Sequence, residues 1–208
     1  MPDGTDNRLR KGRKYDEVIA GARNVFLRDG FDGATVDDIA REAGVSKATL
    51  YSYFPDKHRL FLEVASGEIL NQAEAAMDAI DMTAPVADVL CQVGHRIIDV
   101  LTSDFGQRIF RTFVAESERF PELGRGFYET GPALARARLG AYLEEAVERG
   151  ELVVDDIALA ADQFHMLCKV DFFDRIIFCN ASEISIKDRN RVIDGAVATF
   201  IARFGAKS

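Results

Sequence analysis

An all-α chain in two parts, a small N-terminal helical unit followed by a larger helical domain, is the fold that this 208-residue sequence predicts. Two observations carry that prediction. Apolar residues recur at the three- and four-residue spacing of amphipathic helices, and no stretch sustains the alternation of a half-buried strand. Charge is also divided unequally: of the net −8, residues 1–60 hold +1 and the remainder −9, so the acidity belongs to the larger part. Within the first part Arg8, Arg10, Lys11, Arg13 and Lys14 form a basic run with no acid among them. The boundary is placed between residues 56 and 57, giving units 1–56 and 57–208.

The elements follow in order. Over 14–29, Ile19, Ala22, Val25 and Phe26 share one helical face, and Asp29-Gly30 supplies a stop. Thr35 is an N-cap residue type for a short helix carrying Val36, Ile39, Ala40 and Ala43, and Gly44 follows where a left-handed conformation ends it. Ser46 can cap a second short helix reaching Tyr53, and Pro55 blocks its continuation. Helix resumes at Asp56-Lys57 and runs to about 80; later segments are expected over 85–101, 104–118, 121–129, 132–149, 155–179 and 185–204. Pro85 and Pro121 fit first-turn positions, where a missing N–H does no harm, while Pro132 should break or kink its helix.

Residues 35–53, TVDDIAREAGVSKATLYSY, meet the requirements of a helix-turn-helix. Such a unit needs a small residue where its helices cross (Ala40), a turn glycine (Gly44) and an apolar stripe (Ile39, Val45, Leu50) beneath a polar face. A helix entering the major groove needs outward donors and compact groups, which Lys47, Ala48, Thr49, Tyr51 and Ser52 supply.

The longer stretch from Ile19 to Phe61 resembles the N-terminal domain of the TetR family of transcriptional regulators. The resemblance rests on Phe26, Gly30-Phe31, Thr35-Val36, Ile39-Ala40, Ala43-Gly44-Val45-Ser46, Thr49-Leu50-Tyr51, Tyr53-Phe54, Lys57 and Leu60-Phe61. It departs at Ala34, where many members carry a second threonine. The resemblance implies that Thr35 touches phosphate and that Ser46, Lys47, Ala48, Thr49 and Ser52 lie in or beside the major groove. It further implies that Tyr51 and Tyr53 brace the DNA backbone and that Lys57 binds phosphate. The arm from Arg8 to Lys14 would add phosphate or minor-groove contacts.

Phe120 to Asp156 resembles the C-terminal domain of an AefR-like subset of the family. Family membership implies a ligand cavity in the second domain and a homodimer formed by the last two helices. The residues agree on dimerisation. Val192, Ala196, Phe200 and Phe204 recur every four positions beside Ile193, Val197 and Ile201, and Phe164, Leu167, Cys168, Phe172 and Ile176 precede them, a width of apolar face beyond what one neighbour needs. Fifteen phenylalanines and no tryptophan make an aromatic-rich interior, in which Phe105, Phe110, Phe113, Phe127, Tyr128 and Phe164 are candidates for the wall of a pocket for a small apolar effector. His165, His95 and Arg111 are its candidate polar anchors, while Asp171 and Arg175 read as an i,i+4 pair.

The composition also excludes classes. No apolar run approaches the roughly 20 residues of a membrane span, and the first dozen residues lack the apolar centre of a secretion signal, so a cytoplasmic location is expected. Cys91, Cys168 and Cys179 form no pair at metal-ligand spacing, and buried, unreactive thiols are expected. There is no nucleophile–base arrangement, phosphate-cradling glycine loop or metal-spaced cluster, so neither an enzyme nor a cofactor is indicated. The expectation is a ligand-responsive regulator, a repressor by preference, that binds palindromic double-stranded operator DNA as a homodimer. The alternatives are a helical interaction module without DNA binding and an enzyme using the C-terminal cavity.

Overall fold

A computed structural model describes residues 12–78, 80–179 and 184–206. Of the basic run, Arg8, Arg10 and Lys11 lie outside the described residues, while Arg13 and Lys14 are exposed at the start of the first helix. Among the described residues the chain forms eleven α-helices and one π-helical turn: α1 (Arg13–Gly33), α2 (Val36–Glu42), α3 (Lys47–Tyr53), α4 (Lys57–Asp78), α5 (Val86–Thr102), α6 (Asp104–Glu116), α7 (Pro121–Tyr128), the π-turn (Glu129–Ala133), α8 (Leu134–Glu148), α9 (Ile157–Leu167), α10 (Phe172–Cys179) and α11 (Ile186–Phe204). None of the described helices is long and apolar enough to cross a membrane. The chain divides into two compact units inside α4, after Glu68. The division falls twelve residues beyond the 56/57 boundary read from sequence, because the first turns of α4 bury Leu60, Phe61, Val64 and Ala65 with the N-terminal unit.

In that unit Val18, Ala22, Val25 and Phe26 of α1 pack with Ile39, Leu50 and Phe61, all buried. Phe61 meets Phe26 edge-on at 5.1 Å and Phe31 at 4.9 Å, an aromatic cluster joining α1 to α4. The stop expected at Gly30 is a kink: Gly30 sits at φ 73°, ψ −178°, beyond which three residues resume helical turns. Only glycine adopts that conformation without strain. Gly21, buried in mid-α1, is where the backbones approach most closely. A Cβ there would stand 2.6 Å from both Cβ and N of Ala43. The sequence reading had assigned the small crossing residue to Ala40, which is buried as well.

The C-terminal unit holds two apolar cores. One gathers Val89 and Leu90 of α5, Leu139, Tyr142 and Leu143 of α8, Phe164 of α9, and Ala196, Phe200 and Phe204 of α11. The other joins Ile98, Phe172, Ile176, Val192 and Ile193. The apolar faces expected to be in surplus for a partner, Val192, Ala196, Phe200 and Phe204 with Phe164, Cys168, Phe172 and Ile176, are therefore consumed within the chain's own cores.

One further expectation is corrected. The segment 155–179 is two helices, α9 and α10, because Asp171 breaks it with a left-handed φ of 71°. Aspartate tolerates that region better than most residues, and Asp171 is held there by Arg191 of α11 at 2.9 Å, a closer partner than Arg175 at 3.7 Å. As expected, Pro132 interrupts its α-helix: it lies in the π-turn, a widened turn joining α7 to α8 without requiring the proline N–H. After α11 the chain is pinned to the α8–α9 connection: Val153 N–H donates to Phe204 O at 2.7 Å and Ala206 N–H to Glu151 O at 3.0 Å.

The cysteines are all free. Cys168 is buried, and burial first of all pushes its thiol up to about 12; Cys91 is half-buried and also raised by burial. Cys179 departs from the expectation of buried thiols and is exposed at the end of α10.

Candidate nucleic-acid interface and aromatic site

The α2–turn–α3 geometry follows from its caps. The Thr35 hydroxyl accepts from Asp38 N–H at 3.1 Å, and the Ser46 hydroxyl from Thr49 N–H at 3.1 Å. Between them Gly44, at φ 63°, allows the paired bonds Gly44 N–H to Arg41 O (3.2 Å) and Val45 N–H to Ala40 O (3.0 Å), which close α2 in a Schellman motif. Thr35 thus has a capping duty beside the phosphate contact expected of it.

Helix α3 buries Leu50 completely and turns Ser46, Lys47, Ala48, Tyr51 and Ser52 to solvent, with Thr49 half-buried. Tyr51 is 49% exposed, as a residue reaching a ligand surface would be. The hydroxyls of Ser46 and Thr49 bond each other at 2.9 Å, and Ser52 donates to Thr49 O at 2.6 Å, so these side chains are held in place before any contact. Tyr53 is oriented from α1: its ring meets Tyr15 edge-on at 5.7 Å, and Tyr15 also packs on Phe54 at 5.6 Å. The Tyr15 hydroxyl donates to Glu63 of α4, and burial first, then this acid, raises its pKa. Tyr15 was not singled out from sequence, since its partners lie far along the chain.

Two lysines expected to meet DNA already have partners. Lys47 pairs with Asp37 of α2, both groups 57% exposed. A phosphate reaching Lys47 would have to compete with Asp37 for the same ammonium. Asp37→Asn is therefore expected to raise affinity for duplexes of any sequence by about threefold at low salt, since exposed pairs contribute little to stability and rim charges act mainly on encounter. Fluorescence anisotropy titration measures this; unchanged affinity would remove Asp37 as a competitor. Lys57 donates to Phe31 O at 2.8 Å and Ala34 O at 3.1 Å, with its Nζ 4.4 Å from the Phe31 ring centroid. It ties the start of α4 to the chain leaving α1, and one of its three N–H groups remains for a phosphate.

In the C-terminal unit, three of the candidate pocket residues come together. Phe113 stacks on Phe127 at 4.8 Å and Phe127 meets Phe110 at 6.3 Å. Phe173 joins them through Phe110 at 5.7 Å, a residue the sequence reading had not included. Phe164 is elsewhere, fully buried against Phe200 at 5.4 Å in the first core. Tyr128 is half exposed, its hydroxyl 2.5 Å from Arg136 Nη2. His165 neighbours Lys169, Arg136 and Asp162, and burial above all pushes it down to about 4. Of the other candidate anchors, Arg111 donates to Ile176 O at 3.1 Å and His95 is half-buried on α5; the candidate wall residue Phe105 is half-buried on α6. Separately, α9 and α11 enclose an open apolar groove of roughly 430 Å³ lined by Met166, Leu167, Val170, Phe200 and Phe204.

Comparison with known proteins gives two family matches. Residues 88–206 match the C-terminal domain of AefR-like transcriptional repressors, and residues 18–64 match the bacterial regulatory proteins of the tetR family. The HTH-type transcriptional repressor AcnR of Corynebacterium jeikeium is 38% identical over 78 residues, which span 38% of this chain and only 40% of that protein's length. The HTH-type regulator YdeS of Bacillus subtilis is 26% identical over 148 residues, 69% of this chain and 72% of that one. Among solved structures, a TetR-family transcriptional regulator from Mesorhizobium loti is 30% identical with a TM-score of 0.77, covering 95% of this chain and 99% of that one. The flavonoid-responsive regulator FrrA is 32% identical with a TM-score of 0.75, covering 95% and 100%.

Proposed function

The chain belongs to the TetR family of bacterial regulatory proteins, and from that premise we propose that it is a transcriptional repressor, not an enzyme, which binds a palindromic operator as a homodimer and is released by a small apolar effector. The carrying observation is the solvent face of α3, where Ser46, Lys47, Ala48, Tyr51 and Ser52 stand on a helix whose opposite side is locked in the core by Leu50. Locked donors beside small groups suit readout of base edges, while the exposed tyrosine and lysine suit the flanking phosphates. Repression is favoured by the family match over 88–206 and by the likeness to AcnR.

Dimerisation is supported by the α9–α11 surface. Leu159, Met166 and Val170 are more than half exposed there, and Gly195, Ala198, Thr199 and Ala202 form a small-residue flank on α11 that lets a second helix approach closely. A palindromic operator calls for two α3 helices about 34–36 Å apart, one turn of DNA, which two copies related by a two-fold axis can present. An effector class is suggested by FrrA, a flavonoid-responsive regulator. Residues of both units lie on α4, so it is the element through which occupancy of the C-terminal unit would bias the spacing of the reading helices; such coupling is typically worth about 1–3 kcal/mol. A repressor acting on operator DNA works in the cytoplasm.

Selection of bound fragments from random DNA should return an inverted repeat. Against it, Lys47→Ala and Tyr51→Ala should each lose about tenfold or more in affinity, with an unaltered melting transition. Full-affinity binding by both variants would sink the assignment of α3 as the reading helix.

A further inference from the structure

We propose that the C-terminal unit takes an aromatic carboxylate, its ring lying against Phe110, Phe127 and Phe173 and its carboxylate paired with the ammonium of Lys169. The proposal rests on the reading of the chain as effector-responsive and gives that effector's apolar body one charged group.

The residues form a circuit of ring contacts and charges. Phe113 stacks on Phe127, Phe127 meets Phe110, Phe110 meets Phe173, and Lys169 Nζ lies 5.9 Å from the Phe173 ring centroid. Beyond Lys169 the links are electrostatic: the charges of Lys169 and of Arg136 on α8 both act on His165, and that of Arg136 acts on Lys169. Arg136 lies over the Tyr128 ring at 4.9 Å, and Tyr128 is the chain neighbour of Phe127. One arc is aromatic and the other cationic, the composition of a site that orients an apolar body by one polar group. Phe110, Phe127 and Phe173 are only half-buried, so these rings are not closed over by neighbours. The π-turn adjoins them, and such turns occur often at functional sites.

Charge decides the ligand class. Arg136 is satisfied within the chain, by Asp162 at 2.7 Å, by the Tyr128 hydroxyl and by Pro132 O at 3.2 Å. Asp162 therefore cancels Arg136. His165 is neutral at neutral pH and can offer one hydrogen bond without adding charge. Lys169 has no carboxylate partner among the described residues, and its withdrawal from solvent, with Arg136 nearby, lowers its hold on its proton. A cation so placed is costly until an anion joins it. The circuit holds one uncompensated positive charge, which a monoanion neutralises and a neutral ring does not.

The test uses 2-naphthoate and its uncharged counterpart 2-naphthamide, titrated by their own fluorescence against the full chain at pH 7. The naphthoate should bind at least tenfold more tightly. Lys169→Met should erase that preference by weakening naphthoate alone, and should raise the melting temperature of the ligand-free protein. Phe110→Leu should weaken both probes alike. Equal binding of both probes by the parent protein, unaffected by Lys169→Met, would overturn the charge assignment while leaving an effector site in place. A lowered melting temperature in Lys169→Met would overturn it too, by making the ammonium structural. Binding of neither probe would overturn both the carboxylate proposal and the effector reading beneath it.

Discussion

Gly21→Ala should cost the N-terminal unit about 2 kcal/mol, and with it most of the operator affinity. Alanine is ordinarily the better residue in mid-helix by about 1 kcal/mol, so a surface glycine would give the opposite sign. Here the added Cβ meets the N and Cα of Ala43 at 2.6 and 2.7 Å. Those are backbone atoms, and no rotamer change relieves them. Overpacking that moves the backbone costs about 1–3 kcal/mol, and contacts this short place it at or above the upper end, which outweighs the propensity gain. Ala43 is the last residue before the Gly44 turn, so parting α1 from α2 also displaces α3. Far-ultraviolet circular dichroism should record a melting transition lowered by roughly 10 °C for a unit of this size. A transition within about 2 °C of the parent would mean the crossing is looser than the geometry says.

Lys57→Met should be nearly as damaging, and it separates two duties of one side chain. Methionine keeps the apolar stem over Phe31 but leaves the carbonyls of Phe31 and Ala34 without their charged donor. Hydrogen bonds to charged groups contribute about 1.5–3 kcal/mol each, but water can reach this half-buried site, so a net loss of about 2 kcal/mol is expected. DNA affinity should fall across all sequences. If the remaining N–H also meets a phosphate, the slope of log affinity against log salt should flatten by about one per protomer. Weakened binding with an unaltered slope would assign Lys57 to the clamp alone.

The helix-turn-helix was legible because its determinants are local. Thr35, Gly44 and Ser46 act on neighbours two to four residues away, and each cap observed is the one its residue type announces. What was missed involves partners distant in sequence. A glycine in mid-α1 is visible in the sequence, but Ala43, which requires it, lies 22 residues on. Lys57 reads as a surface cation until its two carbonyl acceptors are seen. The α9–α10 break escaped notice because no glycine or proline marks it, only an aspartate in a left-handed conformation. Periodicity identified α9 and α11 as broadly apolar without saying what covers them, and α5, α8 and α10 cover most of what had been reserved for a partner. The same ambiguity misplaced Phe164, since helical spacing does not separate an aromatic that fills a core from one that lines a site.

The two hydrogen bonds that pin residues 204–206 to the α8–α9 connection have a mechanical consequence. They hold the C-terminal end of α11 against the segment leading into α9, so that end of α11 cannot slide along the segment without breaking both bonds. The plate formed by α9 and α11 is thereby anchored at its α8–α9 edge. If two copies join across that plate, rearrangement driven by a bound effector is directed away from the joint, toward the α6–α7 side of the unit, where the π-turn offers a more compliant element.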